Sequence, residues 1–341
     1  MAGAGAVLSR PSSERPPSRT HIAGSGRYLP AAVLPNSAFA ATAGVDDAWI
    51  LQRTGIRERR TAAPGEGTAA MGAEAARRAL ASAGKGPADI QLIIVATSTP
   101  DHLTPPSACE IQAALGVVDA ACFDVEAGFA GWIYALITAD ALLRAGMAEH
   151  ALVIGAEKLS SVTDRSDPAT GPLFGDGAGA VVLSAGAGPL GIVGRSWWAD
   201  GTLAEALVRR GGGSRQPFDE AVLQERSHLL RMEGSRIFRQ AVRTMARQAA
   251  TALERAGEAP GAPDLVVAHQ ANRRILDAFA RETAWPPERM FINIDRYGNT
   301  GAATIPIALD EAREQGRMPA PGVVLLVSFG AGATAGAVVL R

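Results

Sequence analysis

Two stretches of this 341-residue chain repeat one pattern. Ile93-Ile94-Val95-Ala96-Thr97 is followed by Asp124-x-x-x-Gly128-Phe129-x-Gly131, and Leu265-Val266-Val267-Ala268-His269 by Asp295-x-x-Gly298-Asn299-x-Gly301. The step from Ala96 to Asp124 is 28 positions (124 − 96) and that from Ala268 to Asp295 is 27 (295 − 268). Each glycine pair opens an amphipathic stretch, Ile133 to Leu143 and Ile305 to Ala312, and each is followed by an apolar run, Ala151 to Gly155 and Val323 to Val327. Two copies of one β/α unit fold as two similar halves. Equivalent loops then meet at the pseudo-twofold axis, so Phe129, His269 and Asn299 are expected to converge on one pocket.

The rest of the chain fits this plan. Strand candidates at Leu92 to Ala96, Ala151 to Gly155, Gly179 to Leu183, Leu265 to Ala268 and Val323 to Val327 alternate with helical patterns at Ala69 to Ala83, Gly131 to Ala145, Met232 to Ala256 and Asn272 to Thr283. Such alternation predicts an α/β fold with parallel or mixed sheets. The halves are expected to divide in the Gly/Ala/Pro-rich segment Ser184 to Gly191, giving residues 21–187 and 188–341, each of ordinary domain size. Residues 1–20, rich in Pro, Ser, Ala, Gly and Arg, read as a disordered tail without the apolar core of a signal peptide, with order beginning near Ile22. The glycine-rich segment Arg209 to Pro217 reads as a surface loop near a ligand entrance.

Composition excludes several functions. A net charge of −1 and an isoelectric point near 6.5 make no overall case for nucleic acid or an anionic membrane, although local basic clusters remain open. No window approaches the run of about 20 apolar residues needed to span a bilayer, so a cytoplasmic protein is expected. Cys109 and Cys122 make no secreted disulfide framework and match no metal-ligand spacing, so buried, inert thiols and no metal are expected.

The stretch Phe123 to Trp132 reads as a strand, a sharp glycine-bounded turn and a helix start with Phe129 at the apex, a geometry that usually serves a polar nucleophile. Trp49-Ile50-x-x-Arg53-Thr54-Gly55-Ile56-Arg57-Glu58-Arg59, Leu173-Phe174-Gly175-Asp176-Gly177-Ala178-Gly179, His269-Gln270-Ala271-Asn272, Gly298-Asn299-Thr300 and Phe329-Gly330-Ala331-Gly332 follow in order along the chain. Together they resemble the β-ketoacyl-acyl-carrier-protein synthase III family. The resemblance implies a thiolase-like fold, two pseudo-symmetric βα halves in a layered αβαβα arrangement, normally as a homodimer. It implies acyl thioesters of phosphopantetheine or coenzyme A as substrates and no permanently bound cofactor.

By this resemblance, position 129 is where the family carries a cysteine at the start of a buried helix, whose N-terminal field favours the thiolate. Peptide N–H groups at residue 129 and Ala331 would hold the oxyanion, and the N–H donors of His269 and Asn299 would stabilise the enolate of a decarboxylated malonyl unit. Phe129 has no lone pair to offer. Either the chain is a nucleophile-less form of a condensing enzyme or acyltransferase, its ring mimicking an acyl group, or Phe129 is native. The native case leaves direct transfer with His269 as base, or a catalytically silent partner subunit of an active relative. Polyketide or other specialised metabolism is the expected setting. Simpler roles stand beside these: His269 as a strand-end histidine, Asn299 as the cap of the following helix, and the 175–179 glycines as structure leading into a strand. A wide ring at 129 is also expected to overpack its pocket, so that a cysteine there would cost no stability.

Thioester carriers bring phosphate and so imply a basic entrance. Trp49 and Arg53 resemble the family's adenine-stacking and nucleotide-contacting pair, and Arg274, with Arg273 and Arg281, resembles its docking patch for acyl carrier protein. Arg281 reads equally as part of a solvated helix face. Pro168 occupies the place, six residues before Phe174, where the common pattern has an arginine.

Overall fold

The computed structural model describes residues 19–341. The expected tail, 1–20, lies outside the described residues as far as residue 18; at its end Thr20 already begins a strand, because it pairs with Ala185 and its hydroxyl donates to the buried Asp140 carboxylate at 2.6 Å.

Nine strands build two sheets. The first half contributes β1 (Thr20–Tyr28), β2 (Leu92–Ala96), β3 (Ala121–Val125), β4 (His150–Lys158) and β5 (Asp176–Ala185), in the order β1-β5-β4-β2-β3. Strands β2, β3 and β4 are parallel to one another, and β5 is antiparallel to both its neighbours. The second sheet runs β7-β8-β9-β6, from β6 (Ile192–Ala199), β7 (Leu265–Ala268), β8 (Val324–Gly330) and β9 (Thr334–Leu340). Its hydrogen bonding repeats that of the first: β7 parallel to β8, then two antiparallel pairs. The place of β3 is taken by a single parallel bridge between Val266 and Met290. The duplication expected from the repeat is therefore present in the topology, with one strand reduced to a bridge.

Helices complete five layers. Helices α1 (Asp47–Thr54), α2 (Thr68–Ala83), α3 (Ser107–Leu115), α4 (Gly131–Arg144), α5 (Gly234–Ala256), α6 (Arg273–Thr283) and α7 (Thr304–Glu314) are the principal ones. Trp132, Ile133 and Leu136 of α4 and Ile305, Ala308 and Leu309 of α7 pack between the sheets, against Ile94 and Val153 on one side and Val324, Leu326 and Val338 on the other. Met71 and Ala75 of α2 and Ile111 of α3 cover the outer face of the first sheet, through Ile93 and Val95. Met245 of α5 and Leu276 and Phe279 of α6 cover the second through Val266 and Val327. A helix apolar all round belongs in such a central layer, and α4, GWIYALITADALLR, is the example.

Several features differ from the sequence reading. Met232 falls in a short ribbon, Arg231–Met232 pairing Leu207–Val208, so the long helix starts at Gly234. Strands β6 and β9, rich in Gly, Ala and Trp, carry no clean alternation and are found only by their pairing. Cys109 and Cys122 are part-exposed rather than buried. Among the described residues, no helix is long and apolar enough to cross a membrane.

Candidate active site

The turn after β3 brings Phe129 to the N-terminus of α4. Gly128 has φ +52°, and a Cβ there would stand 2.5 Å from Ala331 N, so the β8–β9 loop lies directly against the turn. Ser328 Oγ donates to Phe129 O at 2.9 Å and Thr334 Oγ1 to Ala127 O at 2.6 Å. Among the described residues neither Phe129 N nor Ala331 N donates to a protein acceptor. The Phe129 ring is buried at 7% exposure, edge-on to Phe174 with centroids 5.8 Å apart and tilted on His269 at 5.6 Å. These are ordinary aromatic spacings. The expected overpacking is thereby corrected: the ring is accommodated, and its removal loses buried contact.

His269 follows β7 and is buried; its Nδ1 stands 2.6 Å from Thr304 Oγ1, the first residue of α7. Burial pushes the imidazole down to about 3, so it is neutral at physiological pH. Asn299 sits on the second glycine-bounded turn. Its Oδ1 accepts from Gly301 N at 2.9 Å, while Nδ2 makes only a long contact, 3.5 Å, to Ala271 O. The amide is thus oriented with its nitrogen left for a ligand. It does not cap the long helix that follows, which starts at Thr304 after a short 3-10 turn with Ala303 as its N-cap residue.

All seven residues singled out from the sequence, Trp49, Arg53, Phe129, His269, Arg274, Asn299 and Ala331, line one cavity of about 600 Å³. Phe129, His269, Asn299 and Ala331 form one group in it. Arg53 lies over the Trp49 ring at 4.8 Å, and Arg274 over Phe238 at 6.0 Å. Pro168 and Ala169 line the same cavity. The glycine-rich segment 209–217 is not among the lining residues; Leu203, Ala206 and Leu207, just before it, supply that wall.

Sequence reasoning missed most of the wall and the basic surface beside it. Leu203, Leu207, Met232, Phe238 and Met245 make the cavity apolar, and Arg239, Arg243 and Arg281, with one acidic neighbour, Glu282, line a shallow groove between α5 and α6. The arginines at 236, 239, 243 and 247 recur at helical spacing, a signal that was available in the sequence. Arg273, by contrast, is paired with Asp277 at 2.8 Å. Neither cysteine lines the cavity, and burial pushes the Cys122 thiol up to about 11, which keeps it protonated. No group of three His, Cys, Asp or Glu is placed to hold a metal ion among the described residues.

Residues 123–201 match the family model of 3-oxoacyl-[acyl-carrier-protein (ACP)] synthase III, and residues 253–341 match that of its C terminal. A β-ketoacyl-[acyl-carrier-protein] synthase III of Bordetella petrii is 46% identical over 330 residues, covering 94% of this chain and 97% of its own. The chain belongs to the β-ketoacyl-acyl-carrier-protein synthase III family. The synthase III of Aquifex aeolicus VF5 superposes with a TM-score of 0.87 at 42% identity, over 94% of this chain and 99% of that one. The priming β-ketosynthase from the R1128 polyketide biosynthetic pathway superposes with a TM-score of 0.88 at 35% identity, over 96% and 98%. The fold is accordingly the thiolase-like fold of synthase III, and the family is one of condensing acyltransferases.

Proposed function

We propose that this chain is a synthase III-type enzyme acting on acyl thioesters of carrier protein or coenzyme A, in polyketide or other specialised metabolism, in which Phe129 closes the covalent route. One observation carries the reading. The Phe129 ring fills the apex of the nucleophile turn, yet His269, Asn299 and residues 129 and 331, whose amides donate to no protein acceptor among the described residues, still line the same cavity. A protein kept only as scaffold has no need of that set.

The chemistry open to it is decarboxylation. The bond from the malonyl α-carbon to its carboxylate breaks, carbon dioxide leaves, and the electron pair becomes a thioester enolate. The enolate oxygen accepts N–H from His269 Nε2 and Asn299 Nδ2, and a solvent proton then completes an acetyl thioester. For Nε2 to carry hydrogen, the Thr304 hydroxyl must donate to Nδ1. That is the shorter of its two contacts, 2.6 Å against 3.1 Å to Gly301 O. A neutral imidazole is also the right donor here, since it keeps its proton throughout the reaction.

Arg274 at the cavity edge, with Arg239, Arg243 and Arg281 in the adjoining groove, supports docking of an acidic acyl carrier protein on the α5–α6 face, and Trp49 and Arg53 support a nucleotide or pantetheine contact across the mouth. Malonyl-pantetheine incubated with the protein should yield acetyl-pantetheine and no protein adduct by intact mass spectrometry. No acetyl product above that of His269→Ala would overturn decarboxylation and favour a silent partner of an active relative.

A further inference from the structure

Glu157, near the end of β4, is a fully buried carboxyl group that this chemistry does not use. Ser98 N donates to its two oxygens at 3.1 and 3.2 Å, Thr99 Oγ1 to Oε2 at 2.5 Å, Thr97 Oγ1 to Oε2 at 3.4 Å, and Ala302 N to Oε1 at 3.4 Å. Ser98 and Thr99 follow β2 of the first half, whereas Ala302 follows the Asn299 turn of the second. One carboxyl group therefore ties the two halves together directly behind Asn299. The fit is close: a Cβ on Gly301 would stand 2.9 Å from Glu157 Cγ and 3.1 Å from Phe129 Cδ1, so the Gly301 main chain fills the gap between them. Glu157 is absent from the cavity wall.

We infer that Glu157 is a positioning residue, whose carboxyl group sets where the Gly298–Gly301 turn, and with it the Asn299 amide, stands relative to residue 129. The inference rests on the reading of Asn299 as a thioester-holding donor. Its physical basis is acceptor count. An ionised carboxylate offers about four lone-pair sites and accepts from Thr97 Oγ1, Ser98 N, Thr99 Oγ1 and Ala302 N together, but protonation gives one site to its own O–H and leaves one of the four donors short. The bonds from Thr97 Oγ1 and Ala302 N, both 3.4 Å, are the longest; the Thr97 hydroxyl can rotate to another acceptor, so the Ala302 contact is the one whose slackening moves main chain, and Ala302 is three residues from Asn299.

Burial raises the Glu157 carboxyl to about 8, with the charge of Glu126 acting in the same direction against the hydrogen bonds from Thr99, Ser98 and Ala302. Glu126 accepts from Ser98 Oγ at 3.2 Å and is the charged group facing it from the end of β3. Other charges on neighbouring elements are engaged elsewhere. Lys158 Nζ donates to Ala63 O and Glu66 O, Asp176 of β5 accepts from Ala62 N and Ser160, and Asp101 accepts from Thr68 N and Ala69 N. His269, across the Asn299 turn, stays neutral throughout.

The test is a titration of the Asn299 side-chain amide by nitrogen-15 NMR from pH 6 to 9.5, with the signal assigned by its loss in Asn299→Asp. In the wild-type chain it should move with a midpoint near 8, and in Glu157→Gln the step should vanish while malonyl-pantetheine binds about tenfold more weakly. Thr99→Val, which removes a donor to the carboxylate, should move the midpoint upward, and it serves if the glutamine variant does not fold. A flat wild-type titration, a step that survives Glu157→Gln, or a midpoint indifferent to Thr99→Val would each overturn the inference. Failure of malonyl-pantetheine to bind the wild-type chain in calorimetry would instead sink the thioester reading, leaving the Asn299 titration to decide Glu157 alone.

Discussion

The two glycine-bounded turns descend from one pattern, yet each is held by the opposite half. The first, at Gly128–Gly131, is clamped by the β8–β9 loop through Ser328, Ala331 and Thr334. The second, at Gly298–Gly301, is clamped by the segment before β5: Asn299 N donates to Leu173 O at 2.9 Å and Gly175 N to Asn299 O at 3.0 Å. These clamps are themselves equivalent, each lying between the middle strand of its sheet and the antiparallel strand that follows. What differs is the cargo. One turn presents an apolar ring at the start of a 14-residue helix, and the other an amide locked by its own turn. A duplicated scaffold can thus keep both frames while one of its two apices loses its chemistry.

The comparison breaks most sharply if the ring is replaced. Phe129→Cys should take covalent loading by acyl thioesters from none to about one adduct per chain, read by intact-protein mass spectrometry, because the thiolate would stand at a helix N-terminus beside two free amides. It should also lower stability by roughly 1–3 kcal/mol, since the contacts with Phe174 and His269 are lost and the cavity enlarges. A folded variant that never acylates would show that the first turn is no longer a site.

Two buried groups flank the second turn, and their pH signatures should oppose one another. The folded His269 lies below its ordinary 6.5, so the unfolded chain binds more protons between 6.5 and about 3, and stability is lost as pH falls through that window. The folded Glu157 lies above its ordinary 4.5, so the native chain binds more protons, and stability is lost as pH rises from 4.5 to about 8. Each limb should amount to a few kcal/mol by linkage. Denaturant melts across pH should lose the acid limb in His269→Asn and the alkaline limb in Glu157→Gln; persistence of either limb would assign it to another group.

Removing a donor sharpens the contrast in chemistry. His269→Ala should slow malonyl decarboxylation by about 10²–10³-fold, the usual worth of an oxyanion donor, and Asn299→Ala by a comparable factor, both read as acetyl product over time. A smaller effect follows from the frames. Gly128→Ala meets the Ala331 main chain at 2.5 Å, whereas Gly301→Ala meets the Glu157 side chain at 2.9 Å. Both add a Cβ at positive φ, costing about 1–2 kcal/mol. Gly128→Ala should be the worse of the two in urea melts, because backbone yields less than a side chain.

The smallest expected effect lies at the mouth. Arg274→Glu should weaken carrier-protein binding about tenfold at low salt and leave a pantetheine thioester nearly unaffected, with the difference shrinking as salt screens charges over a Debye length of about 10 Å at 0.1 M. Equal loss for both ligands in calorimetry would move docking off the α5–α6 face.

Much of this molecule was legible without coordinates. β2 and β7 were read to the residue because both are short, continuous apolar runs bounded by polar or turn residues. β6 and β9 were not, since IVGRSWWA and TAGAVVL owe their strand state to neighbours that supply hydrogen bonds, not to any period of their own. The seven candidate site residues were found because a repeat and a set of short motifs mark them. Arg239, Arg243 and the apolar wall escaped because a helix face becomes a groove only when a second helix is laid beside it.

Sequence alone determined that there are two halves, that their turns face one pocket, and that position 129 holds no nucleophile, because each of these follows from residue identity and spacing along the chain. Only the tertiary structure decided that His269 is neutral, that the Phe129 ring fits between Phe174 and His269, and that Glu157 joins the halves behind Asn299. Those are matters of burial and of contacts between segments far apart along the chain, and no local pattern encodes how much water a side chain has left behind.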